Sequence, residues 1–543
     1  MCYWRTEAAA QSLRCDLPPV TVAPCGTIEM KSGERTVSEA LENLLFERFI
    51  EPTRQVTQSY AGVEIELPIV NLRREPVDFE VVHALSAAFS AAFDFEASDW
   101  DAEGATTKLV KASTAPDEPG SAPDAAAPDE PGSTAPDAAA PSSTAPGSTA
   151  PDAAAASSGD VVTYDCSYNN LEISFARTDD LLALRRRFKE YYRFIRAELL
   201  RSEHSLTGMG INPHRAYNRP EPISNARYRM LYHFLRRCDA ADSRFHPWPE
   251  FGMFCSASQV QIDIPYHRLL QTLDVFERLE PFKAVLFANS VLDAPAHNPG
   301  PTLLCARDML WERSMQGYNP LNVGISERTP QSIEDLLVFL GRLSIFCARR
   351  DGRFLDFVPI PFAEYLEREQ VIGTFFDEKS GAFREMPFVP EAADIAYLRS
   401  YRHCDLTFRG TVEFRSCCAQ PLGDTLSVAA FHLGLVENID ALGALLDADR
   451  SLYGHGFGAP ELRRLMVLRL WPDFVDRAAL REQLLAILEL ANAGLAARGR
   501  GEEVLLEPLY IRAWNLSNPA RELLAKREQG VPLATLIHLY AEL

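Results

Sequence analysis

The chain contains no run of about 18 consecutive apolar residues, the length that a helix needs to cross a bilayer. Its start, MCYWRTEAAAQSLRCDLPP, lacks the basic-then-apolar order of a secretory signal. Basic residues are also fewer than acidic ones: the chain has 54 Lys and Arg and 75 Asp and Glu, which gives a net charge of -21. Such a charge opposes binding to a polyanion. We therefore expect a soluble cytoplasmic protein, with neither nucleic acid nor a membrane as its partner.

Cysteine is scarce, with 11 residues in a chain of 543. No CxxC pair and no Cys/His cluster has the spacing of zinc ligands, so both a disulfide scaffold and a zinc site are excluded. The adjacent Cys417 and Cys418 could form a redox pair. Neighbours in a strand point to opposite faces, however, which favours two packing thiols without assigned chemistry.

The common phosphate-binding signatures are missing as well, since the sequence has neither GxxxxGK[ST] nor a GxGxxG that follows a strand. The glycines of YGHGFGAPE, at 454, 456 and 458, lie between two predicted helices. This position indicates a turn rather than a phosphate loop. A nucleotide would therefore have to be held through metal ions and basic side chains.

What the chain does contain is enough apolar residues, 47% of the total, for two domains or one large elaborated domain. One segment stands apart, from about 114 to 158, where TAPD, APGS and DAAA units repeat without a large apolar side chain. Such a composition predicts disorder. The segment carries seven acidic and no basic residues, which leaves -14 of the -21 on the remainder. A tolerated loop expansion is favoured over a segment that docks a partner.

The periodicity of apolar residues predicts alternating strands and helices on both sides of the repeat. A capping box at Thr36-Val-Ser-Glu39 predicts a short helix, and a strand follows at 61–72. Strand material at 161–175 places the repeat in a hairpin-like connection. The other predicted elements are a helix at 181–199, strands at 257–264 and 410–417, and helices at 327–349, 425–446, 459–472 and 478–498. This order favours an α+β fold with a mainly antiparallel sheet and a helical C-terminal region.

Two carboxylates two residues apart in the first strand, Glu64 and Glu66, must share one face of the sheet. The pair repels itself unless a proton or a cation intervenes. Carboxylates without nearby His or Cys suit Mg²⁺ or Mn²⁺. A solvated sheet face is the alternative, so the metal interpretation requires further acids to converge. The candidates are Asp165, Glu172 and Glu413, and Arg415 shares the face of Glu413, where it could simply form a cross-strand ion pair.

Several segments, in their order along the chain, resemble the glutamate-cysteine ligase family, and most closely its plant-type and proteobacterial branch. They are GVEIEL (62–67), DCSYNNLEIS (165–174), GMGINPHR (208–215), ARYRML (226–231), SQVQID (258–263), LFANS (286–290), ARDMLW (306–311) and VEFRSC (412–417). LFANS and VEFR are moderately specific. The resemblance runs from about residue 38 to the C-terminus, without the repeat.

The resemblance implies a ligase that uses ATP and Mg²⁺, or Mn²⁺, to phosphorylate the γ-carboxylate of glutamate, after which the amino group of cysteine attacks the acyl phosphate. It also implies that the antiparallel sheet curves into a funnel whose inner face holds the site. The positions that match metal ligands of the family are Glu64, Glu66, Asp165, Glu172 and Glu413. Those that match residues near the nucleotide and metal are Gln259 and Gln261. Those that match residues associated with substrate or phosphate are Arg227, Tyr228, Arg307, Trp311 and Arg415. Arg215 matches a substrate position less closely.

On this basis we expect an unstructured leader at 1–37, a catalytic domain at 38–450 interrupted by the repeat, and a helical part of the same fold at 451–543. Two other functions stay open: a related ligase that joins glutamate to another amine, and a catalytically silent relative that binds ligands. All five acidic positions still hold Asp or Glu. A decayed site would have lost one of them, which argues against the silent relative.

Overall fold

A computed structural model describes residues 38–543 except 57, 112–158, 239–241, 243, 293–301 and 378. The expected leader and the acidic repeat lie outside the described residues. The strands are β1 Ala61–Asn71, β2 Phe95–Trp100, β3 Thr106–Lys111, β4 Val161–Tyr164, β5 Asn170–Thr178, β6 His204–Leu206, β7 Ser258–Asp263, β8 Val323–Gly324, β9 Ser344–Arg350, β10 Arg353–Pro361, β11 Val371–Asp377, β12 Ala382–Phe388, β13 Tyr401–Arg402, β14 Cys404–Leu406 and β15 Thr411–Phe414.

Helices surround the strands and dominate the C-terminal region. They are α1 Glu39–Leu45, α2 Phe79–Phe93, α3 Leu181–Leu200, α4 Ala226–Leu235, α5 Leu269–Phe287, α6 Ala306–Glu312, α7 Ile333–Arg342, α8 Phe362–Leu366, α9 Ser427–Glu437, α10 Ile439–Asp447, α11 Ala459–Met466, α12 Arg477–Arg498, α13 Glu507–Asn515, α14 Pro519–Glu528 and α15 Leu533–Leu539. Short 3₁₀ turns join several of them.

The largest sheet runs in the order β14-β15-β7-β1-β5-β4-β3-β2, and β6 pairs with β1 in addition. All its pairings are antiparallel, and the sheet does not close into a barrel. A second sheet has the order β12-β11-β10-β9, and β8 and β13 form a short parallel pair. These observations confirm the α+β class, the mainly antiparallel sheet and the helical C-terminal region.

The centre of the large sheet is formed by β1, whose alternation places Val63 and Ile65 in the apolar core and Glu64 and Glu66 on the opposite face. The core side of the sheet is covered by buried helices, of which α9 is almost fully buried from Ser427 to Val436. The polar face of the same strand is thereby left to line a site.

Most element boundaries agree with the sequence. Helix α3 covers the predicted 181–199, and Val110 of β3 pairs with Val161 of β4, so the repeat does connect two neighbouring strands. Helix α1 is capped by Ser38, whose hydroxyl accepts the Leu41 N–H; Thr36 of the expected capping box lies outside the described residues. Gly456, with φ 77°, lies in the turn between α10 and α11, as expected.

The helix predicted at 425–446 is two helices, α9 and α10, separated by Asn438 and bent by 89°. Two further helix predictions were too long. The segment 327–349 is helical only from Ile333 to Arg342, and Ser344–Arg350 forms β9, because its apolar residues pair with β10, with Ile345 opposite Ile360. The predicted helix at 459–472 ends at Met466. In the first case an apolar stretch of suitable composition gains more from strand pairing than from continuing the helix. In the second, Leu468 bridges to Leu303 and Pro472 follows, which does not favour a longer helix.

Cys417 and Cys418 are buried free thiols that do not bridge each other, as the sequence indicates. The Cys418 Sγ lies 3.4 Å from the Cys305 Sγ. Within the described ranges no single helix combines the length and apolar character needed to cross a bilayer; only Leu422–Glu437 together with Ile439–Asp447 reaches that length, with a bend of 89°.

Candidate functional site

Four strands bring the predicted polar residues onto one face of the large sheet. Glu66 of β1 lies opposite Glu172 of β5, and Glu64 lies opposite Gln259 of β7. Gln261 of β7 in turn lies opposite Glu413 of β15. Because residues directly opposite in antiparallel strands share a face, these side chains form one continuous polar surface, which we call the acidic face. Asp165 is placed beside it by the turn between β4 and β5.

The carboxyl groups of the acidic face do not ionise as free ones do. Burial, together with neighbouring carboxylates, raises the pKa of Glu64, Glu66 and Glu172 to about 8. The carboxylates responsible are Glu413 and Glu172 for Glu64, and Asp165 for both Glu66 and Glu172. Since like charges at short range oppose ionisation, the face retains protons at neutral pH unless a cation replaces them.

Amide groups hold the carboxylates in place. The Gln261 Nε2 donates to the Glu64 Oε1 and to the Glu413 Oε1, both at 2.9 Å. The Glu66 carboxylate accepts from the Gln259 Nε2 at 2.5 Å and from the Ala257 backbone N–H at 2.7 Å. The Gln259 Oε1 is buried without a hydrogen-bond partner. A buried acceptor next to a carboxylate is a position that a donor or a cation can satisfy.

Two arginines meet at the edge of the acidic face. The Arg415 guanidinium donates to the Glu413 carboxylate, and its positive charge lowers the pKa of Glu64, although burial outweighs this effect. The Arg307 Nη1 donates to the Arg415 carbonyl oxygen at 2.8 Å. Arg307 is only 8% exposed, and its Nε is buried without a partner. Two of the residues that the resemblance associates with substrate or phosphate are therefore in direct contact.

Aromatic rings continue the surface beyond the arginines. The Trp311 and Tyr401 rings stack with centroids 5.0 Å apart and an interplanar angle of 13°. The Arg415 guanidinium lies 5.7 Å from the Tyr401 ring centroid. Gly252 supports the other side of Trp311, where an added Cβ would come within 3.1 Å of the indole. The result is a flat apolar wall next to the charged groups.

Arg227 and Tyr228 lie at the start of α4, beside the end of β4. Asn225 caps this helix by accepting the Tyr228 N–H at 2.8 Å. The Arg227 guanidinium lies 5.5 Å from the Tyr228 ring centroid, and its charge lowers the pKa of Glu172 against the stronger effect of burial. The Tyr228 hydroxyl donates to the Tyr164 carbonyl at 3.3 Å. All twelve residues proposed from the sequence thus surround one surface, whereas Arg215 lines a different cleft, together with Asn289 and Arg527.

The donor set suits a hard divalent cation, although no coordination sphere is preformed. Among the residues that the structure describes, no group of three or more His, Cys, Asp or Glu side chains is arranged to hold one ion. The physical reason is visible in the contacts, because Gln261 and Arg415 already occupy oxygens of Glu64 and Glu413. The chemistry nevertheless fits Mg²⁺ or Mn²⁺, since carboxylates with raised pKa and the free Gln259 Oε1 are oxygen ligands in need of positive charge.

Sequence reasoning missed several residues of this surface. Tyr401, which stacks on Trp311, comes from a two-residue strand without a recognisable pattern. Arg409 donates to the Gln261 Oε1 from the turn before β15. Lys108 of β3 lies opposite Thr163, and burial lowers its pKa while the Glu172 carboxylate opposes that change. Only the strand alternation of TTKLVK could have indicated Lys108.

No protein-family model and no curated protein matches the chain. Several solved structures show limited similarity, among them the following two. A bifunctional glutathione synthetase from Pasteurella multocida is 12% identical, with a TM-score of 0.39, over 93% of this chain and 54% of that protein. A glutamate–cysteine ligase from Francisella tularensis in complex with AMP is 10% identical, with a TM-score of 0.43, over 90% of this chain and 89% of that one.

The chain spans about half the length of the Pasteurella protein. Both identities are below 25% and both TM-scores are below 0.5. The function proposed below therefore rests on the side chains of the acidic face and on the motifs of the sequence.

Proposed function

We propose that the chain is an ATP-dependent ligase that joins the γ-carboxylate of glutamate to the amino group of cysteine through a γ-glutamyl phosphate. The observation that supports this most strongly is the acidic face, where Glu64, Glu66 and Glu172 have a pKa of about 8 beside the Arg307–Arg415 contact. Excess carboxylate next to paired arginines suits a reaction that handles polyphosphate and carboxylate together.

The carboxylates are the proposed holders of Mg²⁺. The residues assigned to it are Glu64, Glu66, Asp165, Glu172 and Glu413, with Gln259 and Gln261 next to metal and nucleotide. A divalent cation bound there would bridge and neutralise the phosphate oxygens of ATP. To bind it, Glu64 and Glu413 have to exchange the Gln261 amide for the metal, which these flexible side chains can do by rotation.

The arginines are assigned to the anionic groups of the reaction. A guanidinium donates two parallel hydrogen bonds to a carboxylate or a phosphoryl group, and its charge persists at every physiological pH. Arg415 and Arg307 would stabilise the transferring phosphoryl group and grip a substrate carboxylate, and Arg227 with Tyr228 would bind the nucleotide or substrate near Glu172. Because the acyl phosphate is already reactive, orienting the incoming amine is the remaining task.

The aromatic wall is assigned to the amine acceptor. The stacked Trp311 and Tyr401 rings present an apolar surface next to the Arg415 guanidinium. An amino acid with a small, weakly polar side chain matches such a combination, because its carboxylate faces the cation and its side chain faces the ring. Cysteine is such an amino acid, and this wall is where a different acceptor would be selected.

The test is an assay of the purified protein with ATP, MgCl₂, glutamate and one amine at a time. We expect equal amounts of ADP and phosphate, and a product with the mass of γ-glutamylcysteine. Exclusive transfer to another amine would contradict the cysteine assignment and keep the ligase class. An absence of glutamate-dependent ATP turnover with every amine would contradict the ligase proposal and favour a ligand-binding protein.

A further inference from the structure

One guanidinium lies beneath both arginines of the proposed site. Arg463 of α11 is 4% exposed, and it does not reach the acidic face itself. Its Nε and Nη2 donate to the two carboxylate oxygens of Asp308, at 2.7 and 3.1 Å. Asp308 directly follows Arg307 in α6, so this bidentate contact fixes the helix turn that carries Arg307.

The same guanidinium also holds the strand end that carries Arg415. The Arg463 Nη2 donates to the Ser416 carbonyl at 3.3 Å. Its Nη1 donates to Glu280, to the carboxylate at 2.6 Å and to the backbone carbonyl at 3.1 Å. The Ser416 hydroxyl donates to the same Glu280 carboxylate at 3.1 Å. Every N–H of Arg463 is therefore used, and the contacts join three separate elements at one point.

The charges in this buried cluster balance. Glu280 accepts from the Lys283 Nζ at 2.6 Å as well as from Arg463. Although burial raises the pKa of Asp308, its charged and hydrogen-bonding neighbours, of which Arg463 contributes most, together outweigh burial and lower this pKa to about 2. His403 faces Asp308 at 3.9 Å, and burial together with the Arg463 charge lowers its pKa to about 3. At neutral pH two cations thus meet two carboxylates beside a neutral imidazole, and none of these charges is left for a substrate.

Three further contacts tie the cluster to the site. The Arg307 Nη1 donates to the Arg415 carbonyl, and the Arg415 N–H donates to the His403 carbonyl at 3.0 Å. The Arg307 N–H donates to the Ser290 Oγ at 3.1 Å, which substitutes for the missing side-chain cap of α6. The position of each guanidinium therefore depends on backbone atoms that the buried cluster holds.

We propose that Arg463 is a positioning residue, which holds Asp308 and Ser416 so that Arg307 and Arg415 present their guanidinium groups together at the acidic face. This role rests on the proposed function of that face. It gives the C-terminal helical region a share in the reaction, because Arg463 comes from α11 and reaches the site only through its neighbours. A lysine cannot replace it, since an ammonium group lacks the planar fork needed to contact Asp308, Glu280 and Ser416 at once.

The test compares Arg463→Lys with a matched variant, Arg512→Lys. Arg512 is also buried, and it donates to Gln420 and to Asp424, both at 2.8 Å, without contacting Arg307 or Arg415. We expect Arg463→Lys to lower kcat for glutamate-dependent ADP release about 100-fold, because displaced groups no longer meet the transition state. The KM for ATP should change less than about threefold. Arg512→Lys should lower the melting temperature similarly and keep kcat within about threefold of wild type.

A double-mutant cycle separates positioning from general destabilisation. In an Arg307→Lys background, Arg463→Lys should lower kcat by less than about threefold more, because the guanidinium that Arg463 positions is already absent. If the double variant loses the product of the two single-variant decreases in kcat, the positioning role is overturned. The same holds if Arg512→Lys lowers kcat as much as Arg463→Lys does. Should Arg463→Lys fail to fold, Asp308→Asn provides the second variant, since it weakens the same contact and leaves the Arg463–Glu280 pair intact.

A structural readout keeps this proposal distinguishable from the proposed function. If wild-type protein is inactive with every amine, the ligase proposal fails, and the crystal structure of the Arg463→Lys variant then decides the positioning role. We expect the Arg307 Nη1 to lose its 2.8 Å contact with the Arg415 carbonyl in that variant. An unchanged contact would overturn the proposal.

Discussion

Glu66 and Glu172 lie directly opposite each other on the neighbouring antiparallel strands β1 and β5. Like charges in this position destabilise a sheet. The pair persists here because burial and neighbouring carboxylates raise the pKa of both groups to about 8, so that protons can take the place of repelling charge. A protein that maintains this arrangement for its fold alone would gain stability by losing either carboxylate, which suggests that the pair is kept for a ligand.

The first prediction concerns the pH dependence of stability without metal. The pKa of Glu64, Glu66 and Glu172 is about 8 in the folded chain and near 4.5 without these surroundings. Between these values the folded state binds more protons than the unfolded state, so stability falls as the pH rises. In EDTA we expect the melting temperature to drop by about 3 °C or more between pH 5 and pH 8 from this group of carboxyls.

A metal ion should oppose this loss of stability at high pH, and removal of one carboxyl group should make the loss smaller. At pH 8, millimolar MgCl₂ or MnCl₂ should raise the melting temperature, because a cation that binds only the folded state stabilises it. Glu66→Gln should flatten the pH dependence, while Glu482→Gln, at an exposed position of α12, should leave it unchanged. A melting temperature that is independent of metal at pH 8 would contradict the assignment of the acidic face to Mg²⁺.

The second prediction concerns activity. Glu64→Gln and Glu413→Gln each remove an oxygen ligand while keeping the shape of the side chain, so ligation should be abolished and the fold retained. A variant that keeps more than about a tenth of wild-type activity at saturating Mg²⁺ has lost less than ~1.4 kcal/mol, and its carboxylate is then not an essential ligand. Glu482→Gln serves as the matched control.

The position of these carboxylates on one face of the sheet could be predicted, because the relevant strands alternate clearly. Glu64 and Glu66 follow from the period of β1 alone, and the order of the resembling motifs added Glu172, Gln259 and Glu413 before their strands were known to be neighbours. Sequence spacing carries no information on which strands pair. The hydrogen bonds of Gln261 to both Glu64 and Glu413, which connect three strands, therefore needed the structure.

Residues that lie outside the alternating strands and the resembling motifs could not be predicted from the sequence. Arg463 lies in a short helix with two adjacent arginines, and only its burial against Asp308 and Glu280 distinguishes it from the neighbouring, exposed Arg464. Tyr401 likewise has no periodic context. The helix prediction at 327–349 was too long for a related reason. The composition of Ser344–Arg350 suits a helix or a strand, and its pairing with β10 makes it a strand.

The third prediction concerns the repeat at 114–158, for which composition predicts disorder. It connects β3 to β4, which pair in an antiparallel hairpin. Replacing it with a short Gly/Ser loop should preserve both the melting temperature and ligation, because loop-closure entropy changes by only about 0.6 kcal/mol for each doubling of length. Failure of the shortened chain to fold would show that the repeat packs against the domain.

The fourth prediction concerns the amine acceptor. In a competition with equimolar cysteine, alanine, serine and 2-aminobutyrate, read by mass spectrometry, γ-glutamylcysteine should be the main product. The preference over 2-aminobutyrate should be modest, since exchanging a thiol for a methyl group against an apolar wall changes discrimination by only about 1–3 kcal/mol.

Trp311→Ala removes the ring that stacks on Tyr401, and should reduce this preference more than it reduces total ADP release. Tyr401→Phe keeps the stacking surface and should retain the preference, which makes it the matched control. If Trp311→Ala lowers turnover with all amines equally, the wall supports the fold of the site without selecting the acceptor, and the selecting residues then lie elsewhere on the acidic face.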